Sequence, residues 1–222
     1  MAIAPPVAAP TAPEAGSTAL APLLLLPQDL RLTPEQFALV CEANPDAVLE
    51  LAADGQLITM TPSGGETGAL NYNLGLALGL AARQCSLPLQ LFDSSTGFRL
   101  ADGSVLSPDA SVVRLERWQA LTLEQRRSFP PLCPDLVIEL ASASNEGPRG
   151  ADALRRKMAL YQANGAQLGW LLFPQQRAVE IWSARPEAGA AAASQRLENA
   201  LRLDGGSVLP GLVLELEEIW AE

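Results

Sequence analysis

Apolar side chains recur at helical spacing in three segments of the chain. We predict helices over residues 34–43, 66–83 and 151–164, the first after a Thr33 N-cap and the third ending at Asn164-Gly165. The second carries its apolar residues on one face, at Leu70, Leu74, Leu78 and Ala81. It also contains Gly75 and Gly79, four residues apart, which predict the close approach of a sheet or another helix.

Shorter apolar runs predict the strands. Residues 47–60 hold two such runs around Asp54-Gly55, a strong turn dipeptide, so we expect a hairpin there. Further strands are predicted over 89–100, 105–114, 135–141, 167–173 and 178–183, with an Ala-rich loop in 184–200. The order of helix, strands, helix and strands is typical of an α/β sandwich built around one mixed sheet.

The amino-terminal segment differs in composition from the rest. Residues 1–27 are rich in Ala, Pro and Thr, with six prolines that oppose both helix and strand pairing, so we predict a disordered tail. The remaining residues, 28–222, have the size of a single domain, and 48% of the 222 residues are apolar, enough for a proper core.

Charge is spread unevenly along the chain. The formal net charge is −10, which by itself disfavours contact with phosphate backbones and anionic membranes. Residues 66–185, however, carry twelve bases and eleven acids, so the central region is close to neutral and the acidity lies in the flanks. Three widely spaced cysteines and the lack of a long apolar run indicate a cytoplasmic protein without a membrane span.

The sequence contains no histidine and a single lysine among 15 basic residues, Lys157. The missing histidine excludes Ser-His-Asp and Cys-His nucleophiles and His-ligated zinc. Arginine occupies every other basic position, and it cannot replace a compact ammonium that is able to lose its proton. The one lysine is therefore a candidate for chemistry.

Two acidic residues belong to predicted strands that can lie side by side. Glu139 interrupts an otherwise apolar strand, where an ionised carboxylate is costly unless a cation or hydrogen-bond donor meets it. A sheet-edge position or a structural ion pair is the alternative explanation. Asp109 follows Pro108 at the start of another strand, where it could equally be an ordinary turn residue.

Lys157 lies beside the buried stripe of its predicted helix. At about 100° per residue, it is about 60° from Leu154 and about 40° from Tyr161, which belong to that stripe. The side chain therefore leans toward the sheet, although a lysine that merely snorkels to the surface would show the same spacing. Two carboxylates can bind Mg²⁺ or Mn²⁺, and a nearby ammonium can assist the attack of water on a phosphate. Such a set can hydrolyse a phosphodiester without histidine.

Several long strings resemble the Uma-two family of restriction-endonuclease-like bacterial proteins, within the PD-(D/E)XK nuclease superfamily. They are FDSSTGFRL (92–100), SPDASVV (107–113), PPLCPDLVIELAS (130–142), KMALYQANGAQLGWLLFP (157–174) and VLPGLVLEL (208–216). The resemblance implies an α-β-β-β-α-β core with an N-terminal hairpin, usually in a homodimer. It assigns the acid-acid-lysine roles to Asp109, Glu139 and Lys157.

The chain departs from the pattern that it resembles. The superfamily places its lysine two residues after the glutamate, where this chain has Ala141, and the resemblance is to a variant whose lysine has moved to the next helix. Where many relatives have a histidine, this chain has Glu66, which is either an extra catalytic acid or a favourable first-turn residue. Glu50, just before the hairpin turn, is a weaker candidate.

Two functions are compatible with these residues. The first is a Mg²⁺-dependent (or Mn²⁺-dependent) endonuclease acting on DNA, with Asp109 and Glu139 as metal ligands, Lys157 and Glu66 completing the catalytic set, and no organic cofactor. The second is a homodimeric binding or regulatory module that keeps the fold without cleavage. The acidic flanks favour the second, and the retained lysine favours the first.

Overall fold

A computed structural model describes residues 27, 29–183 and 194–220. The predicted disordered tail lies outside these residues except for Pro27. The helices are α1 (Pro34–Ala43), α2 (Gly65–Gln84), α3 (Leu115–Gln119), α4 (Leu123–Arg127) and α5 (Pro148–Ala163). The strands are β1 (Leu49–Leu51), β2 (Leu57–Thr59), β3 (Leu89–Asp93), β4 (Phe98–Arg99), β5 (Val105–Leu106), β6 (Ala110–Arg114), β7 (Leu136–Leu140), β8 (Leu168–Phe173), β9 (Ala178–Ser183), β10 (Ser194–Glu198), β11 (Arg202–Asp204) and β12 (Val213–Glu215).

The central sheet has six strands in the order β10-β9-β8-β7-β6-β3. It is mixed, because β7 and β8 run parallel while its other neighbouring strands are antiparallel. The parallel pair is joined through α5, as a crossover connection requires. Along the chain, α2, β3, β6, β7, α5 and β8 follow the predicted α-β-β-β-α-β order, so the expected fold class is confirmed.

Helices cover both faces of this sheet. One face packs against α2 through Leu74 and Leu78, and the other packs against α5 through Met158 and Tyr161. Gly169 on β8 lets α5 approach closely, because a Cβ atom there would collide with the Met158 Cε. The end of the Met158 side chain thus fills the space above Gly169 and packs α5 against β8, one residue after the lysine that α5 carries.

A second sheet of four strands, in the order β2-β1-β5-β4, holds the predicted hairpin around Gly55. The hairpin joins the rest of the protein through the pairing of Leu51 with Val105. The helix α1 begins at a capping box formed by Thr33 and Gln36, as the sequence predicts. A short ladder of β11 and β12 lies against the α2 side of the core.

Four expectations need correction. Residues 89–100 and 105–114 each form two strands, divided at the turn after Asp93 and at Pro108, whose missing N–H cannot join a ladder. Within the predicted loop 184–200, residues 184–193 lie outside the described residues, but Ser194–Glu198 pairs with β9 as β10. Gly75 and Gly79 do not mark a close approach, because a Cβ atom at either would have no neighbour within 4 Å among the described residues.

Candidate active site

Asp109 and Glu139 lie on the two neighbouring strands β6 and β7. The register pairs Ala110 with Ile138, and Asp109 directly precedes β6. Beyond this last pair, the backbone N–H of Leu140 donates to the Asp109 Oδ2 over 2.7 Å. The Asp109 carboxylate thus extends the hydrogen bonding between the two strands just before β6 begins. The two acids therefore lie at the same end of the sheet.

Lys157 reaches this end of the sheet from α5. Its Nζ lies 2.9 Å from the Glu139 Oε1 and 2.9 Å from the Glu50 Oε1, and it donates to the carbonyl of Ser107 over 3.0 Å. The lysine side chain is 17% exposed, so most of its stem is shielded from water. The only lysine in the sequence therefore lies between two buried carboxylates.

Glu50, which we predicted only as a weaker candidate, also contacts Lys157 in this site. It lies on β1 and is 4% exposed. Its Oε1 accepts the backbone N–H of Ser107 over 2.8 Å in addition to its contact with Lys157. An acid between two leucines in a short predicted strand was the only sequence feature that pointed to Glu50. The distance between Glu50 and Lys157 depends on how the four-stranded sheet packs against the rest of the protein.

Tyr161 supports Glu139 from the next turn of α5. The hydroxyl of Tyr161 donates to the Glu139 Oε1 over 3.2 Å, and the Lys157 Nζ lies 5.9 Å from the centre of the tyrosine ring. Burial and the nearby Glu139 raise the pKa of Tyr161 well above its usual value, so the hydroxyl keeps its proton and remains a donor. The sequence placed Tyr161 only on the buried stripe.

Burial dominates the ionisation of the two acids. It raises the pKa of Glu139 and that of Asp109, while Lys157 opposes the rise at both. Burial alone would lower the pKa of Lys157, but the carboxylates of Glu139 and Glu50 outweigh it, and the lysine pKa lies above its ordinary value. Lys157 is therefore an ammonium ion at neutral pH.

Glu66 lies elsewhere. It occupies the first turn of α2, is exposed, and accepts a hydrogen bond from the Gln175 Nε2 over 2.8 Å. This hydrogen bond joins it to the segment after β8, and among the described residues Glu66 forms no hydrogen bond or ion pair with Asp109, Glu139 or Lys157. The structure thus brings these three predicted residues together with Glu50, and it leaves Glu66 apart.

The site contains few groups that could bind a metal ion. No cluster of three or more His, Cys, Asp or Glu residues with the geometry of a metal site occurs in the described part of the chain. Any cation here would have two carboxylates, Asp109 and Glu139, and would need further oxygen ligands. Across residues 27, 29–183 and 194–220, no helix has the length and apolarity to cross a membrane.

Comparisons with known proteins agree with this architecture. The sequence profile of the Uma-two family, described as "Putative restriction endonuclease", matches residues 34–217. A crystal structure titled as a "putative nuclease belonging to DUF820" from Anabaena variabilis ATCC 29413 superposes with a TM-score of 0.64. It is 18% identical in sequence, and the match covers 85% of this chain and 97% of the other, so it shows a shared fold.

No curated protein matches the chain significantly. The family match covers most of the sequence, including both predicted acids and the lysine. The chain therefore belongs to the Uma-two family, whose description is "Putative restriction endonuclease".

Proposed function

We propose that this protein is an endonuclease that hydrolyses phosphodiester bonds in DNA with the help of Mg²⁺ or Mn²⁺. The observation that carries the proposal is the position of Lys157, whose Nζ lies 2.9 Å from Glu139 at the end of the sheet that also holds Asp109. The match to a family described as "Putative restriction endonuclease" and the fold shared with a "putative nuclease" support this proposal.

The carboxylates fit a small divalent cation. The Oδ2 of Asp109 and the Oε1 of Glu139 carry the hydrogen bonds described above, while the second oxygen of each accepts none from the described residues. Carboxylate oxygens are the hard donors that Mg²⁺ prefers, and waters or substrate oxygens usually complete its six ligands. When bound, the ion would activate water and neutralise charge on the phosphate.

Lys157 would act as a fixed positive charge. Because its pKa is raised, it is protonated at neutral pH and is a poor general base. Its ammonium group would instead stabilise the negative charge that develops on the phosphate oxygens during attack. Tyr161 would orient Glu139 by donating to its Oε1, which leaves the other oxygen for the cation.

We further propose that the protein forms a homodimer in the cytoplasm. Along α2, the side chains of Tyr72, Leu76 and Leu80 are 73%, 54% and 50% exposed, and they follow one another at intervals of four residues. Such an exposed apolar stripe supports a second copy as partner. A dimer of this kind without cleavage activity is the alternative function, and the net charge of −10 favours it.

Cleavage of supercoiled plasmid DNA tests the proposal. Wild-type protein with Mg²⁺ or Mn²⁺ should convert the plasmid to nicked or linear forms, and EDTA should stop the reaction. Asp109→Asn and Lys157→Ala should abolish cleavage, whereas Arg156→Ala should retain it, because Arg156 is exposed on the same helix and forms no ion pair with the described residues.

Each variant should be checked for folding by its thermal transition. If folded Lys157→Ala protein cuts as well as the wild type, the assignment of the site is wrong. If the wild type binds Mn²⁺ without cutting any DNA, the non-cleaving dimer is favoured.

A further inference from the structure

No contact between the described elements explains why residue 75 is a glycine. It lies in the interior of α2, where glycine costs about 0.5–1 kcal/mol relative to alanine. A Cβ atom added there would have no neighbour within 4 Å, so packing between the described elements does not demand a glycine. Gly75 instead lines a cavity.

The cavity has a volume of about 440 Å³ and lies between α2 and the ends of β3 and β6. Its lining includes Asn71, Gly75, Leu78, Leu91, Asp93 and Asp109. Its size falls within the range of small-molecule sites, about 300–1,000 Å³. Since Asp109 is both a wall of the cavity and a proposed metal ligand, a substrate held at the metal would extend into this space.

The lining defines the kind of group that fits. Leu78, Leu91 and Ala110 provide apolar surface for a flat ring, and none of the described residues that line the cavity is lysine or arginine. The Asp93 carboxylate is exposed at the cavity, and its Oδ2 accepts no hydrogen bond from the described residues, so it favours a neutral ring that bears N–H donors and disfavours a phosphate.

The rim of the cavity is already formed by hydrogen bonds. The Oδ1 of Asp93 accepts both the backbone N–H of Ser95, at 3.1 Å, and its hydroxyl, at 2.6 Å. The backbone N–H of Thr96 donates to the carbonyl of Asp93 over 3.2 Å. These bonds hold the turn after β3 in place, so a ligand would enter a largely ordered site.

We propose that this cavity receives an unpaired nucleobase carrying an exocyclic amino group, next to the phosphodiester at Asp109. The inference rests on the proposed nuclease function and adds a base-binding subsite to it. Gly75 keeps the mouth of the cavity open, because any larger side chain at this position of α2 would extend over it.

Titration of the full-length protein with deoxycytidine and thymidine tests the inference by saturation-transfer NMR. Cytosine presents an amino donor where thymine presents an oxygen acceptor. The wild type should bind deoxycytidine about tenfold more tightly than thymidine, because thymine places its O4 acceptor where cytosine would donate its amino group to the Asp93 carboxylate.

Gly75→Leu should lose deoxycytidine binding, while two matched variants should keep it. Gly75→Ala adds only a methyl group at the same position, and Gly79→Leu adds the same side chain one turn along α2, at a residue that does not line the cavity. Thermal unfolding should show that all three variants are folded, since neither glycine has a close neighbour.

Equal binding of the two nucleosides by the wild type would overturn the inference, as would unchanged deoxycytidine binding in folded Gly75→Leu protein. Plasmid cleavage by the same preparations separates this result from the proposed function. Cleavage without nucleoside preference would refute the base subsite alone. Nucleoside preference without metal-dependent cleavage would refute the nuclease proposal and support the ligand preference of the cavity.

Discussion

Replacing Lys157 by methionine removes the one cation that lies between Glu50 and Glu139. These two acids are 4% and 3% exposed, so water cannot take over the role of the ammonium group. Loss of one partner from a buried ion pair typically lowers the free energy of unfolding by about 3–5 kcal/mol. We expect a loss of this size for Lys157→Met, a substantial share of the roughly 5–15 kcal/mol that stabilises a typical domain.

The loss should depend on pH, because the abandoned carboxylates can take up protons. Lys157 lowers the pKa of Glu139, which is about 8 in the wild type, so the substitution raises that pKa further. Guanidinium unfolding should therefore show a larger loss of stability at pH 9 than at pH 5. Arg156→Met is the matched control, since Arg156 is exposed on the same helix; its change should stay within about 0.5 kcal/mol. Equal effects of the two substitutions at pH 9 would refute the buried ion-pair cluster.

Three further predictions concern stability. Burial raises the pKa of Glu139 to about 8, so the folded protein holds this proton more tightly than the unfolded chain does. As the pH rises from 4.5 through about 8, the melting temperature of the metal-free wild type should therefore fall relative to that of Glu139→Gln. A constant difference between the two melting temperatures would contradict the burial of this acid. Arg117→Met should cost about 1–3 kcal/mol in urea unfolding, because Asp135 is fully buried and its Oδ1 lies 2.7 Å from the Arg117 guanidinium; a neutral effect would refute this. Gly79→Ala should raise the unfolding free energy by about 0.5–1 kcal/mol, and a loss would reveal a packing contact there.

Local patterns in the sequence predicted most of the core. The helix α2 and the strand β7 follow their apolar periodicity closely, and Lys157 leans toward the sheet as its angular position on α5 predicts. These features depend on residues a few positions apart, which is the range over which periodicity carries information.

The parts that the sequence missed depend on long-range pairing. Glu50 joins the site only because Leu51 pairs with Val105, more than 50 residues away, and this pairing leaves no local mark. For Glu66 the sequence left two roles open, an extra catalytic acid or a favourable first-turn residue. Its hydrogen-bond donor, Gln175, lies 109 residues further along the chain and could not be predicted from local spacing. β10 was missed because its residues, SQRLE, lack the apolar alternation of a buried strand.

Crystals of the protein soaked with Mn²⁺ test the central claim most directly, because anomalous diffraction locates this ion without reference to activity. We expect a peak where β6 begins and β7 ends, bound by oxygens of both Asp109 and Glu139, that disappears in Asp109→Asn crystals. A saturating soak that leaves this site empty, or a peak bound by other residues alone, would contradict it.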